Sequence, residues 1–93
     1  MIVASLRVQF LLPGCASLKQ KRFVLNSVKA KLRNRFNVSV CENDFQDKWQ
    51  RSELAVAAVA TNKRGAETIV RQVVDFLELE SRIVVCDCER EFY

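Results

Sequence analysis

Apolar and polar residues alternate from position 2 to position 12. Ile2, Ala4, Leu6, Val8, Phe10 and Leu12 fall on one side, and Ser5, Arg7 and Gln9 on the other. A period of two predicts a half-buried strand, and Pro13-Gly14 ends it. The period then changes. Ser17 and Gln20 form a capping box, in which the cap hydroxyl meets a partner three residues on that reaches back. Leu18, Leu25, Val28, Leu32 and Phe36 follow at helical spacing, which predicts a helix from the Ser17 cap to about Phe36.

Residues 37–43 read as a second strand with Val38 and Val40 inward, and residues 44–51 as a polar connection carrying two aromatics, Phe45 and Trp49. A third strand runs from Ser52 to Thr61. A second helix runs from near Asn62 to about Leu79. Its buried face is Ala66, Ile69, Val70, Val73, Phe76 and Leu77, with Glu67 and Arg71 paired outward at i, i+4. Arg82 to Phe92 is the fourth strand. The order β-α-β-β-α-β in one short domain predicts a ferredoxin-like α+β sandwich: a four-stranded antiparallel sheet, strands 1 and 3 central, both helices on one face.

The third strand is apolar on both sides, from Leu54 through Ala60. A strand reads that way when both faces are covered. The helices cover only one, so the other face needs either the Phe45/Trp49 connection folded back or a second subunit. A homodimer is the expectation, with small Ala55 and Ala57 permitting close approach.

Charge changes the picture more than composition does. The 93 residues are 49% hydrophobic and 28% charged, with a net charge of only +4, an ordinary globular balance in a single domain. The distribution is uneven. The first acid is Glu42, and every charge before it is positive: Arg7, Lys19, Lys21, Arg22, Lys29, Lys31, Arg33 and Arg35. On a helical wheel Lys19, Arg22, Lys29 and Arg33 share one arc beside the buried stripe, with Asn26 among them, along roughly 21 Å of helix. Lys31 and Arg35 lie on the opposite flank. Like charges at these spacings repel, and Lys19, Lys21 and Arg22 oppose the helix dipole in the first turns. Such an arrangement favours a polyanion, and the helix start suits a phosphate. It reads equally as a solvated face neutralised by Glu67, Asp75 and Glu78 of the second helix.

Other chemistry is thinly represented. The chain has no histidine and two glycines, so it lacks the usual general base and a Gly-rich phosphate loop. No nucleophile–base pair stands out, and a non-enzymatic protein without a cofactor is expected. Glu42, Asp44 and Asp47 form a short acidic run of the kind that can hold a hard cation. Cys86 and Cys88 fall on one face of a strand pattern; with Cys41 they offer a thiolate set, although structural thiols in a reducing compartment are the simpler reading. No apolar run approaches the ~20 residues of a membrane span. Leu12-Pro13-Gly14-Cys15 loosely resembles a lipoprotein cleavage site, but Arg7 interrupts the apolar residues and no basic stretch precedes them. A cytoplasmic location is therefore expected. The central strands offer no aromatic platform of the RNA-recognition-motif kind. In the connection, Phe45, Trp49, Gln50 and Arg51 are candidate interaction residues, with Trp49 able to stack on a base or to sit in a partner interface.

Leu12-Pro13 with Ser17-Leu18-Lys19-Gln20-Lys21-Arg22, then Arg33-Asn34-Arg35-Phe36-Asn37-Val38-Ser39-Val40, then Glu42 and Gln46-Asp47-Lys48-Trp49-Gln50-Arg51, resembles the YlxP-like family of small bacterial proteins across essentially the whole chain. The resemblance implies the ferredoxin-like fold reached above. Genes of that family often lie among those of translation initiation and ribosome maturation, which implies a ribosome or RNA connection. It implies no catalytic residues. The expected function is a binding module that meets RNA or a ribosomal surface through Lys19, Lys21, Arg22, Lys29 and Arg33. The competing expectation is a protein-interaction or assembly module that uses the second sheet face and the Trp49 connection.

Overall fold

The computed structural model describes residues 1–93. Its elements are β1 (Ile2–Leu11), α1 (Leu18–Arg35), β2 (Ser39–Asp44), β3 (Arg51–Ala60), α2 (Lys63–Glu78) and β4 (Val84–Phe92). The strands form one antiparallel sheet in the order β2-β3-β1-β4, with β1 and β3 central. This is the predicted ferredoxin-like sandwich. Both helices bury their apolar stripes on one sheet face. Ala4, Leu6, Val8 and Phe10 of β1 and Leu54, Val56 and Ala58 of β3 meet Leu25, Val28 and Leu32 of α1 and Ala66, Val70, Val73 and Leu77 of α2.

The caps follow the sequence. The Ser17 hydroxyl accepts the Gln20 N–H at 3.1 Å, and Gln20 Oε1 accepts the Ala16 N–H at 2.7 Å, one residue before the expected return partner. Asn62 caps α2 by accepting the Gly65 N–H at 2.8 Å. The helices touch along one flank, where the Phe36 and Phe76 rings meet edge to face at 6.1 Å.

Two bulges interrupt the alternation. Gln9 pairs with Asp87 and Phe10 with Val85, so Cys86 is an extra residue in β4. Glu42 pairs with Leu54 and Asp44 with Glu53, which leaves Asn43 extra in β2. The β4 bulge corrects the cysteine pattern. Cys88 sits opposite Val8 and packs against the core, while Cys86 is exposed, so the two do not share a face. Cys41 belongs to β2, at the far edge of the sheet, and no group of His, Cys, Asp or Glu converges as a metal site would. Burial pushes the Cys88 thiol pKa up, away from thiolate chemistry.

Of the two covers expected for the second sheet face, the folded-back connection is absent. The connection does not fold across it: Val59 of β3 is 61% exposed and Ala57 is exposed. Only the end near Glu53 is covered, and by polar groups. The Glu53 carboxylate is buried and accepts from Asn43 Nδ2 at 2.7 Å and Gln9 Nε2 at 3.1 Å. The Asn43 hydrogen bond, aided by Gln9 and the Arg7 charge, lowers its pKa against the cost of burial.

Candidate functional site

The helix α1 contains no acid, so every charge on it is positive. Its two flanks have different fates. One faces α2 and the turn into β4, where Lys31 finds a counter-charge and Arg35 an aromatic ring. Lys31 Nζ lies 3.5 Å from Glu80, Arg35 sits over the Phe76 ring at 5.5 Å, and Ser27 accepts from Arg82 at 3.0 Å. Arg82 also donates to Glu80 at 2.8 Å. Hydrogen bonding from Arg82 is the largest cause that holds the Glu80 carboxyl down to about 2 from its ordinary 4.5. At ~1.4 kcal/mol per pKa unit, the charged form contributes about 3 kcal/mol to stability. Because the folded pKa is the depressed one, that contribution is complete above pH 4.5 and disappears as pH falls through about 2. Glu80→Gln is expected to lower stability by about 3 kcal/mol at pH 7. Urea titrations should show the two proteins converging as the pH approaches 2.

The other flank overhangs the β2 edge. Arg22 is exposed and Lys29 is half-buried; Lys19, at the helix start, is exposed and also borders a groove with Phe23, Arg82 and Val84. Arg33 donates to the Val40 carbonyl of β2 at 2.8 Å and keeps its remaining N–H groups outward. No carboxylate lies within 4.0 Å of the charged nitrogens of Lys19, Arg22, Lys29 or Arg33. Glu67, Asp75 and Glu78, the acids in position to neutralise α1 on a sequence reading, form no ion pair with it.

Lys21 departs from this group. Its side chain is 1% exposed, and its ammonium reaches Glu42 at 3.0 Å and the Phe45 carbonyl. The second Glu42 partner is the Ser52 hydroxyl, which donates to the same oxygen at 2.7 Å. Lys21 therefore cannot contact a nucleic acid from the helix surface, and it is removed from the candidate set. The reason is positional. Leu18, Leu25, Val28 and Leu32 mark the buried stripe, and position 21 falls on it at i+3 from Leu18. The lysine enters the interior because Glu42 faces it from β2, and a buried charge needs a partner. The same contact disposes of the hard-cation reading, because Glu42 turns inward to Lys21 while Asp44 accepts the Phe45 N–H at 2.7 Å.

The connection after β2 is anchored at several points. The Phe45 carbonyl takes the Lys48 N–H at 3.0 Å as well as Lys21. Phe45 itself has φ 64°, a left-handed conformation uncommon for a bulky residue. Gln50 accepts the Leu12 N–H through its carbonyl at 2.8 Å and donates its side-chain amide to the Cys15 carbonyl at 3.1 Å. Arg51 donates to Gln9 at 3.0 Å and lies over the Phe45 ring at 4.5 Å. Phe45, Gln50 and Arg51 thus hold the connection against β1 and the start of α1. Trp49 is 52% exposed and borders an open groove with Leu11, Phe45, Lys48 and Arg51.

Residues 3–90 match the family described as "Protein of unknown function (DUF503)". The chain is 39% identical over 62 residues to "Uncharacterized protein YlxP" of Bacillus subtilis (strain 168), a match that covers 67% of each chain. Among solved structures it is similar to a de novo designed protein with a ferredoxin fold, at TM-score 0.53 and 15% identity, over 99% of this chain and 85% of that one. That last likeness concerns the fold alone. By its sequence and along nearly its whole length, the chain belongs to the YlxP-like DUF503 family.

Proposed function

We propose that this protein is a cytoplasmic, non-enzymatic module that binds RNA, free or on a ribosomal surface, through the β2-side flank of α1. The observation that carries the reading is that four cations of one helix lack a counter-charge. Lys31 has Glu80 and Arg35 lies over the Phe76 ring, while Lys19, Arg22, Lys29 and Arg33 have no carboxylate within 4.0 Å and Arg33 meets only the Val40 carbonyl. Four uncompensated cations along roughly 21 Å of rod cost the free helix self-repulsion, and phosphate contacts reverse that cost. Contacts of this kind fix position and orientation without reading sequence. Binding of labelled ribosomal RNA fragments tests the reading. Changing all four residues to glutamine should abolish most of the affinity, whereas Lys31→Gln on the partnered flank should leave it nearly unchanged.

A second reading has its own support. Val59, Met1 and Tyr93 lie exposed at one end of the open sheet face. A second copy packed there would cover them. Sedimentation over a range of concentrations should then show a dimer that Val59→Glu dissociates.

A further inference from the structure

We propose that Trp49 is a stacking platform for an unpaired base, so that the RNA held by α1 is single-stranded where it passes the connection after β2. The inference rests on the RNA reading above and specifies the state of the strand.

Topology puts the two features on one continuous surface. The basic flank of α1 is the β2 flank, fixed by the Arg33 hydrogen bond to Val40. The connection that carries Trp49 continues directly from β2 and is tied to the start of α1 through Lys21 at the Phe45 carbonyl and Gln50 at Cys15. The helix start, with Lys19 and Arg22, is therefore at the same end of the molecule as Trp49, although Lys19 also borders Arg82 and Val84 on the β4 side. A strand whose phosphates follow the cations along α1 leaves the helix beside the indole.

The local chemistry suits a base better than an apolar side chain. Lys48 and Arg51 border the Trp49 groove together with one acid, Asp47, which leaves the lining with a net positive charge, and the Asp44 carboxylate accepts the Phe45 N–H. Cations beside an exposed aromatic face are the combination that single-strand binders use, since every base presents a π-face and every nucleotide a phosphate. The platform is also held in advance of binding. Phe45, Gln50 and Arg51 each spend their polar or aromatic groups on the fold, so little of the connection remains to be ordered when a base arrives. A duplex hides its base faces and offers phosphates alone, so the indole gives nothing to it.

Trp49 is the only tryptophan in the chain, which makes its fluorescence an unambiguous reporter. The probes are a single-stranded oligoadenylate of about twelve nucleotides and an RNA duplex of equal length, each end-labelled so that anisotropy reports binding independently of Trp49. Saturable quenching by the single strand is expected. Trp49→Ala should weaken single-strand binding about 5- to 100-fold and Trp49→Phe much less, with duplex affinity the same in all three proteins. If the single strand binds by anisotropy without quenching, and Trp49→Ala binds it equally well, stacking is wrong while the phosphate reading stands. If Trp49→Ala changes the self-association of the protein and not its affinity for the single strand, the indole belongs to a protein contact and the inference fails. If neither RNA binds, both readings fall together.

Discussion

Replacing Lys21 by methionine is expected to lower the free energy of unfolding by about 3 kcal/mol, near the lower end of what removing one partner from a buried ion pair costs. Methionine keeps the apolar stem in place, so the loss measures the ammonium. Without it the Glu42 carboxylate faces the interior with only the Ser52 hydroxyl as partner, and the Phe45 carbonyl keeps only the Lys48 N–H. For a domain of this size that corresponds to a drop of roughly 12–24 °C in melting temperature. The double change Lys21→Met with Glu42→Gln should be clearly less destabilised than the single one. Glutamine removes the stranded charge yet still accepts from Ser52, so the two substitutions are strongly non-additive. A thermal melt of wild type, both single variants and the double variant checks this. Additive losses would mean that Lys21 and Glu42 act separately.

The Lys21 contact reaches beyond stability. It joins α1 to the carbonyl of Phe45, the residue with a left-handed backbone at the head of the connection. Loosening it frees the segment that presents Trp49. The Lys21 variant is therefore also expected to show a less ordered indole, while the charges of Lys19, Arg22, Lys29 and Arg33 remain.

The layered fold was legible because its signals are periodic and local. Alternation over residues 2–12, the Ser17 and Asn62 caps and the two apolar stripes each predict an element within one or two residues of where it lies. What the sequence hid was set by long-range partners. A lysine at position 21 reads as one more surface cation until Glu42 is seen across from it, although its place on the stripe was a usable signal. The thiols at Cys86 and Cys88 looked aligned because a bulge, which depends on pairing with β1, leaves no periodic trace. Phe45, Gln50 and Arg51 looked like a recognition cluster. Gln50 and Arg51 bond to Gln9, Leu12 and Cys15, some thirty-five to forty-two positions distant, and Phe45 to Lys21, twenty-four positions distant; these contacts turn three of the four candidates into supports for the fourth.

The charge arrangement was only half legible. Composition placed eight cations before the first acid, but which of them the fold would neutralise depended on α2. The answer is uneven: Lys21 is paired with Glu42 and Lys31 with Glu80, Arg35 lies over Phe76, and Lys19, Arg22, Lys29 and Arg33 have no carboxylate in reach. A large functional effect follows. Each phosphate contacted by a cation on a single strand releases counterions and contributes about −0.7 to the slope of log affinity against log salt. Four contacts give a slope near −3, a loss of roughly 60-fold between 50 and 200 mM salt.

The most direct measurement is that slope, for wild type and for the protein with Lys19, Arg22, Lys29 and Arg33 all changed to glutamine, on the same single-stranded RNA. The account predicts a slope of about −3 in wild type, falling toward zero in the variant with the fold intact. A flat response in wild type, or an unchanged slope after the four substitutions, would contradict it.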